Sequence, residues 1–296
     1  MSIIELTEKS NPASAGIDLL SPLEIARIIN AEDQKVALAV EKELESIASA
    51  IELIANAFKQ GGRLGYFAAG TSGRIGILDA SEMPPTFGAP MEMVQAFIAG
   101  GDEAVRHGIE NAEDSIDFAK EDLQKFAPTP KDIIVGISAC GKPAYVISVL
   151  QEAQKQGVKT IAISSNPTAE IQKFADIFIN PQVGPEVVTG SSRMKSGTAQ
   201  KMVLNMLTTG AMIRLGKTYK NYMIDLQVSN AKLYDRACRI ITDITGVSPA
   251  EAQEALKQSG KKVKIACVMA AKKCSRPQAE KLLQDHGGIL RKIIQG

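Results

Sequence analysis

Tryptophan is absent from this chain, aromatic residues make up only 4% of it, and its formal net charge is +1. A nucleic-acid surface needs a basic stripe or a row of stacking rings, so neither a DNA nor an RNA partner is expected. There are only two histidines, His107 and His286, and four cysteines, none of them in C-x-x-C spacing. That supply does not suit a zinc site, and the cysteines read as free thiols of a reducing compartment. No apolar run approaches the ~18 residues that a membrane span requires. Residues 1–10 are polar, carry Glu5 and Glu8, and lack the basic start and apolar run of a secretory leader. A cytoplasmic protein without nucleic-acid or membrane partners is the expectation. What the chain does have is length, 296 residues, and 45% apolar content. That is enough for a large α/β domain with a smaller appendage.

Residues 1–20 read as an extended arm with a turn at Asn11-Pro12. Ser21 and Pro22 mark a helix start. Val36, Val40, Leu44, Ile47, Ile51, Ile54 and Phe58 recur at helical spacing and predict one long amphipathic helix over 33–59. Five short apolar runs follow, at 64–69, 93–99, 132–138, 160–164 and 176–179. Helical stretches separate most of them, at 73–81, 103–126, 144–156 and 168–174. Strands alternating with helices predict a three-layer α/β sandwich on a mostly parallel five-stranded sheet. Beyond Gly197 the pattern is helical over 198–214 and 221–245, then over 248–296. The expected divisions are an N-terminal arm with helices (1–53), a large α/β domain (54–217), a connecting helix (218–247) and a small helical subdomain (248–296). Lys261, Lys262, Lys264, Lys272 and Lys273 of that subdomain read as a solvated helix face, with an acidic partner as the alternative.

In a parallel sheet, ligands bind beyond the carboxyl ends of the strands. Three polar segments fall there or at a helix start. Gly70-Thr71-Ser72-Gly73-Arg74 joins two permissive glycines to two hydroxyls at a helix N-terminus, where free N–H groups favour an anion. Read alone, it is equally an ordinary helix cap. Ser138-Ala139-Cys140-Gly141-Lys142 is placed the same way after the third run. The stretch 189–198, with Ser191, Ser192 and Lys195, is dense in hydroxyls and cations. Together they favour a polyhydroxylated phosphate. A carboxylate pair is then the best acid/base set, because no histidine lies in a suitable loop. Glu82 sits before Pro84-Pro85, which stop the helix; Glu110, Glu113 and Asp114 read as helical, where a lone Glu is commonly just a solvated surface carboxylate.

The string AGTSGRIGILDASEMPPTFG over 69–88 closely resembles the signature of the N-acetylmuramic acid 6-phosphate etherases. So do NPAS over 11–14, ENAED over 110–114 and EVVTGSSRMKSGTAQK over 186–201. These belong to the sugar isomerase (SIS) superfamily, of which the glucokinase regulatory protein is a non-catalytic member. The resemblance implies cleavage of the D-lactyl ether of N-acetylmuramic acid 6-phosphate to N-acetylglucosamine 6-phosphate and D-lactate, in recycling of cell-wall amino sugars. It implies elimination followed by hydration, with no metal or organic cofactor, in a cytoplasmic homodimer.

By the same resemblance Glu82 is the proton donor and Glu113 the base. Such a pair needs one carboxyl protonated while the other is ionised. The implied substrate contacts are Thr71, Ser72, Gly73, Arg74, Ser81, Ser138, Cys140, Gly141, Lys142, Glu186, Ser191, Ser192 and Lys195. One stretch departs from the pattern: many members have ASGRTPY where this chain has ACGKPAY over 139–145. A thiol and a point charge there replace a hydroxyl and a forked cation. A sugar-phosphate-binding regulator and a phosphosugar isomerase stand as alternatives.

Overall fold

The computed structural model describes residues 6–295; the first residues of the expected arm lie outside that range. Its described part is a series of 3-10 turns, Leu6–Glu8, Pro12–Ser14 and Ile17–Leu19, where extended chain was expected. Asn11 starts the middle turn by accepting from Ala13 N at 3.0 Å. Ser21 then opens α1 (Pro22–Glu41) with a reciprocal capping box to Glu24.

The single helix expected over 33–59 is two. α1 ends at Glu41 and α2 (Leu44–Lys59) begins after Glu43, whose backbone leaves the helical region at φ −102, ψ 6. The Glu43 carboxylate accepts from Asn180 N at 3.0 Å, a tertiary bond that local periodicity does not encode. The chain continues through β1 (Leu64–Ala68), α3 (Gly70–Ser81), α4 (Met83–Phe87), β2 (Val94–Ile98), α5 (Gly101–Arg106), α6 (Ile116–Phe126), β3 (Ile133–Ile137), α7 (Ala144–Lys155), β4 (Lys159–Ile163), β5 (Ile177–Ile179) and α8 (Lys195–Arg214). The helix expected over 103–126 is also interrupted. Between α5 and α6 the chain takes a 3-10 turn, Ala112–Asp114, behind Asn111 at φ 57. Asparagine tolerates that left-handed geometry better than most residues. The helix expected over 168–174 is a 3-10 turn, Glu170–Phe174.

The five strands form one parallel sheet in the order β2-β1-β3-β4-β5. Successive side chains of β1 go to opposite faces. Phe67 packs with Tyr145 and Val146 of α7, whereas the Tyr66 hydroxyl donates to Asp79 of α3 at 2.9 Å. Helices therefore cover both faces, as expected. The strand starts are pinned by buried carboxylates: Asp132 accepts from the Arg63 backbone at 2.7 Å and its guanidinium at 2.8 Å. Burial alone would raise that carboxyl's pKa, but these bonds and those from Thr129 hold it low.

Contacts group the chain into two units, 1–80 with 92–208, and 81–91 with 209–296. The second contains a hairpin, β6 (Thr218–Tyr219) and β7 (Tyr222–Met223), then α9 (Ala231–Thr245), α10 (Pro249–Gln258), α11 (Val263–Lys272), α12 (Arg276–Asp285) and α13 (Leu290–Ile294). The helix expected from 221 thus starts ten residues later, at the Asn230 cap, which accepts from Leu233 N at 2.9 Å. Ile241, Leu256, Val268 and Leu290 fill this unit's core. Lys264 departs from the expected solvated face: it is mostly buried and pairs with Asp225 at 2.5 Å. Burial lowers its pKa against the pull of Asp225.

Candidate active site

β1 pairs with β2 on one side and β3 on the other, so the strand order reverses direction there. The carboxyl ends of strands flanking such a reversal form the usual ligand crevice of a parallel sheet. The segments after β1 and β3 are the first two polar loops found in the sequence. Both belong to the first unit.

The first is tighter than expected. α3 begins at Gly70, not at Gly73, so Thr71 and Ser72 are half-buried members of its first turn. The N–H groups of a first turn have no partner within their own helix. Gly73 serves packing: a Cβ there would stand 2.6 Å from Ile98 of β2. Asp79 fixes the far end of α3, accepting from Tyr66, from Asn205 at 2.6 Å and from Thr208 at 3.1 Å, both on α8. Burial raises its carboxyl's pKa against these bonds. The Arg74 guanidinium is directed at backbone, donating to the carbonyls of Ala104 and Val105 at 2.8 Å each. It fastens α5, which leads into the turn that carries Glu113.

In the second loop, Ser138 is buried and its hydroxyl accepts from Gly141 N at 3.0 Å. Gly141 takes φ +74, and a Cβ there would lie 2.2 Å from that of Ala169, so only glycine fits. Ser164 Oγ donates to Ala139 O at 2.9 Å and Asn166 Nδ2 to Cys140 O at 3.0 Å. The loop is thus preshaped by the segment after β4. Cys140 is half-buried, 3.6 Å from the Ser138 hydroxyl, and Lys142 is exposed.

The third segment has a different character. Glu186 is buried and caps α8, accepting from Lys195 N and Ser196 N at 2.9 Å each. The Lys195 ammonium is 1% exposed and pairs at 2.6 Å with Glu32 of α1. Glu32 also accepts from Lys35, and from Asn11 Nδ2 at 2.9 Å. Asn11 donates further to Pro185 O at 3.0 Å, and Ser14 Oγ to Val187 O at 2.7 Å. The NPAS segment therefore laces the arm to the third loop. Ser191 and Ser192 keep half-exposed side chains.

Burial would raise the Glu32 pKa, but Lys195, Lys35 and Asn11 outweigh it and hold the carboxyl at about 2. The folded pKa lies below the unfolded value of about 4.3. This stabilisation is fully present above the unfolded pKa and is lost as pH falls through the folded one. Glu32→Gln leaves Lys195 buried without a counter-charge. It is expected to cost about 3 kcal/mol, read as a lower denaturation midpoint at pH 7, with the gap to the parent closing toward pH 2–3.

Glu113 is exposed in the 3-10 turn, whose buried Ala112 packs into the core beside Tyr145. Within the second unit, Glu82 is the exposed N-cap residue of α4 and makes no side-chain capping bond. The proline pair stops α3 as expected, and also starts α4. Gly88 closes α4 at φ +60, and its Cβ would meet Asp225 O at 2.6 Å. Gln227 N donates to Pro85 O at 3.3 Å. Ser81, also exposed, is the last residue of α3. A groove of about 740 Å³ between α6 and α7, lined by Ile116, Leu123, Pro128 and Gln151, contains none of the expected site residues. Sequence reasoning missed Glu32 and Gln200; each is a polar residue on an otherwise apolar helical stripe.

The reversed strand order and the glycine- and hydroxyl-bearing loops on either side of it are those of a doubly wound parallel sheet, and family models put that sheet in the SIS-domain class. A family model of the SIS domain matches residues 119–210, and that of the glucokinase regulatory protein N-terminal SIS domain matches 46–154. The C-terminal lid domain of glucokinase regulatory protein matches 220–264. A phosphoheptose isomerase from Francisella tularensis shares the fold at TM-score 0.50 and 17% identity, over 66% of this chain and 100% of that one. Relatives named N-acetylmuramic acid 6-phosphate etherase are far more similar in sequence. The protein from Vibrio vulnificus (strain YJ016) is 52% identical over 98% of this chain and 96% of its own length. That from Yersinia pestis (strain Pestoides F) is 51% identical over 98% of each. The chain belongs to the N-acetylmuramic acid 6-phosphate etherase family.

Proposed function

We propose that the chain is a carbon–oxygen lyase that releases D-lactate from N-acetylmuramic acid 6-phosphate, leaving N-acetylglucosamine 6-phosphate, in recycling of cell-wall amino sugars. The observation that carries this reading is the likeness to etherases along almost the whole chain. The first turn of α3 and the Ser138–Lys142 loop receive the sugar phosphate. Thr71, Ser72 and Ser138 supply hydroxyls, Gly141 a close backbone, and Lys142 the positive charge. The glucokinase regulatory protein matches the same domains, but pure binding needs no carboxylate pair.

In the open-chain sugar the C1 aldehyde acidifies the C2 proton. Glu113, as carboxylate, takes that proton. Glu82, as carboxylic acid, protonates the ether oxygen on C3 as the C3–O bond breaks, and D-lactate departs. The product of this step is an α,β-unsaturated aldehyde. Water adds at C3, giving a proton back to Glu82, while Glu113 returns its proton to C2. The net change is one water consumed, and both carboxyls end in their starting states. Incubation with N-acetylmuramic acid 6-phosphate is expected to release lactate and N-acetylglucosamine 6-phosphate in equal amounts. Folded protein that yields no lactate sinks the proposal.

The enzyme works in the cytoplasm as a homodimer. No helix among the described residues is long and apolar enough to cross a membrane. Leu23 and Leu38 of α1 are each 60% exposed, apolar surface of the kind a second copy covers. Sedimentation equilibrium reads that state.

A further inference from the structure

α8 begins beside the first loop. A methyl at Gly197 would stand 3.6 Å from the Thr71 methyl and 3.5 Å from Ile75. One turn further along lies Gln200, 1% exposed. Neither its amide nitrogen nor its amide oxygen has a hydrogen-bond partner among the described residues. A carboxamide offers two donors and an acceptor with two lone pairs. Leaving them unmade in the interior destabilises the fold and returns nothing to it. Such a group calls for an explanation in what the folded chain binds.

Its direction follows from helix geometry. Long side chains on a helix lean toward the N-terminus and cover the preceding turn. The Gln200 carboxamide therefore lies over the turn of Ser196 and Gly197, at the end of α8 that borders the first loop. The same end is already occupied by a negative charge, because the Glu186 carboxylate takes the Lys195 and Ser196 amides. A phosphate would be repelled there. A neutral group with both a donor and an acceptor would not.

We propose that Gln200 is a substrate-binding residue that hydrogen-bonds an uncharged polar group of the sugar, a hydroxyl or the acetamide, while the phosphate is held by the loops after β1 and β3. The assignment rests on the etherase reading for the identity of the sugar. It divides the ligand by charge: the phosphate at the α3 N-terminus, neutral sugar groups at the capped α8 N-terminus. The carboxamide is closed over by protein at 1% exposure, and it finds its partners when the sugar is seated.

The test is Gln200→Met, which keeps length and flexibility and removes the amide, with Gln200→Leu as a second variant. Thermal unfolding without ligand and the dissociation constant for N-acetylglucosamine 6-phosphate are measured for each. The expected result is a melting temperature raised by about 2–8 °C together with sugar binding weakened about 10- to 100-fold. A stabilised variant that binds as tightly as the parent overturns the proposal. A variant with a lower melting temperature also overturns it, since the amide is then a structural group satisfied by buried water. Lactate release by the parent is assayed alongside. Its absence would refute the etherase reading, whereas the comparison of parent and variant scores Gln200 separately.

Discussion

Glu82→Gln is expected to lower the rate of D-lactate release by about a thousand- to ten-thousand-fold. A glutamine fills the same space but has no acidic proton to give to the departing lactate oxygen, so C3–O cleavage would have to expel an alkoxide. The fold should not register the change. Glu82 is exposed and makes no capping bond with its side chain; α4 is anchored instead by buried Met83 and Phe87. The melting temperature of the variant should stay within about 1 °C of the parent, as for surface substitutions generally. Substrate binding should persist. A variant that releases lactate at the parental rate removes Glu82 from the reaction.

Glu113→Gln is expected to abolish exchange of the C2 proton with solvent, again by about a thousand-fold or more. The probe is N-acetylglucosamine 6-phosphate in deuterium oxide, followed by loss of the C2–H resonance. The turn should survive, because its shape is set by Asn111 in the left-handed region, the Ser115 N to Ala112 O bond at 3.2 Å and the Ser115 cap of α6. The two variants cross informatively. Glu82→Gln should retain exchange at C2 while losing ether cleavage; Glu113→Gln should lose both. Parental exchange in the Glu113 variant assigns the base to another group.

The sheet was legible because its strands are short apolar runs with turn residues at both ends, and burial on both faces demands such runs. The misread helices have different causes. Glu43 breaks α1 from α2 through a bond to Asn180, 137 residues away. The interruption before α6 had a local sign, Gly108 and Asn111, masked by the periodicity on either side. At the site, the hydroxyls of Thr71, Ser72 and Ser138 were legible as chemistry, since loops after strands carry ligands. The partners of Arg74, Glu186 and Lys195 were not. A cation in a polar loop looks the same in sequence whether it meets a phosphate or a buried carboxylate. For Lys195 the deciding residue is Glu32, 163 positions earlier. Its signal was a charge four residues before Val36, on the stripe that α1 buries.

The arm that laces the third loop also sets a schedule. Asn11 meets Pro185 across 174 residues, Ser14 meets Val187 across 173, and Glu32 meets Lys195 across 163. Chains emerge from the ribosome at about 5–20 residues per second. The arm is therefore made roughly 10–30 s before its partners exist, and until then Glu32 carries its charge in open water. Asn11, Ser14 and Glu32 are thus made early and locked late, so the third loop can take its final form only when both ends of the first unit are present. A nascent chain arrested before residue 185 should thus show α1 open to protease even with the strands up to β5 complete.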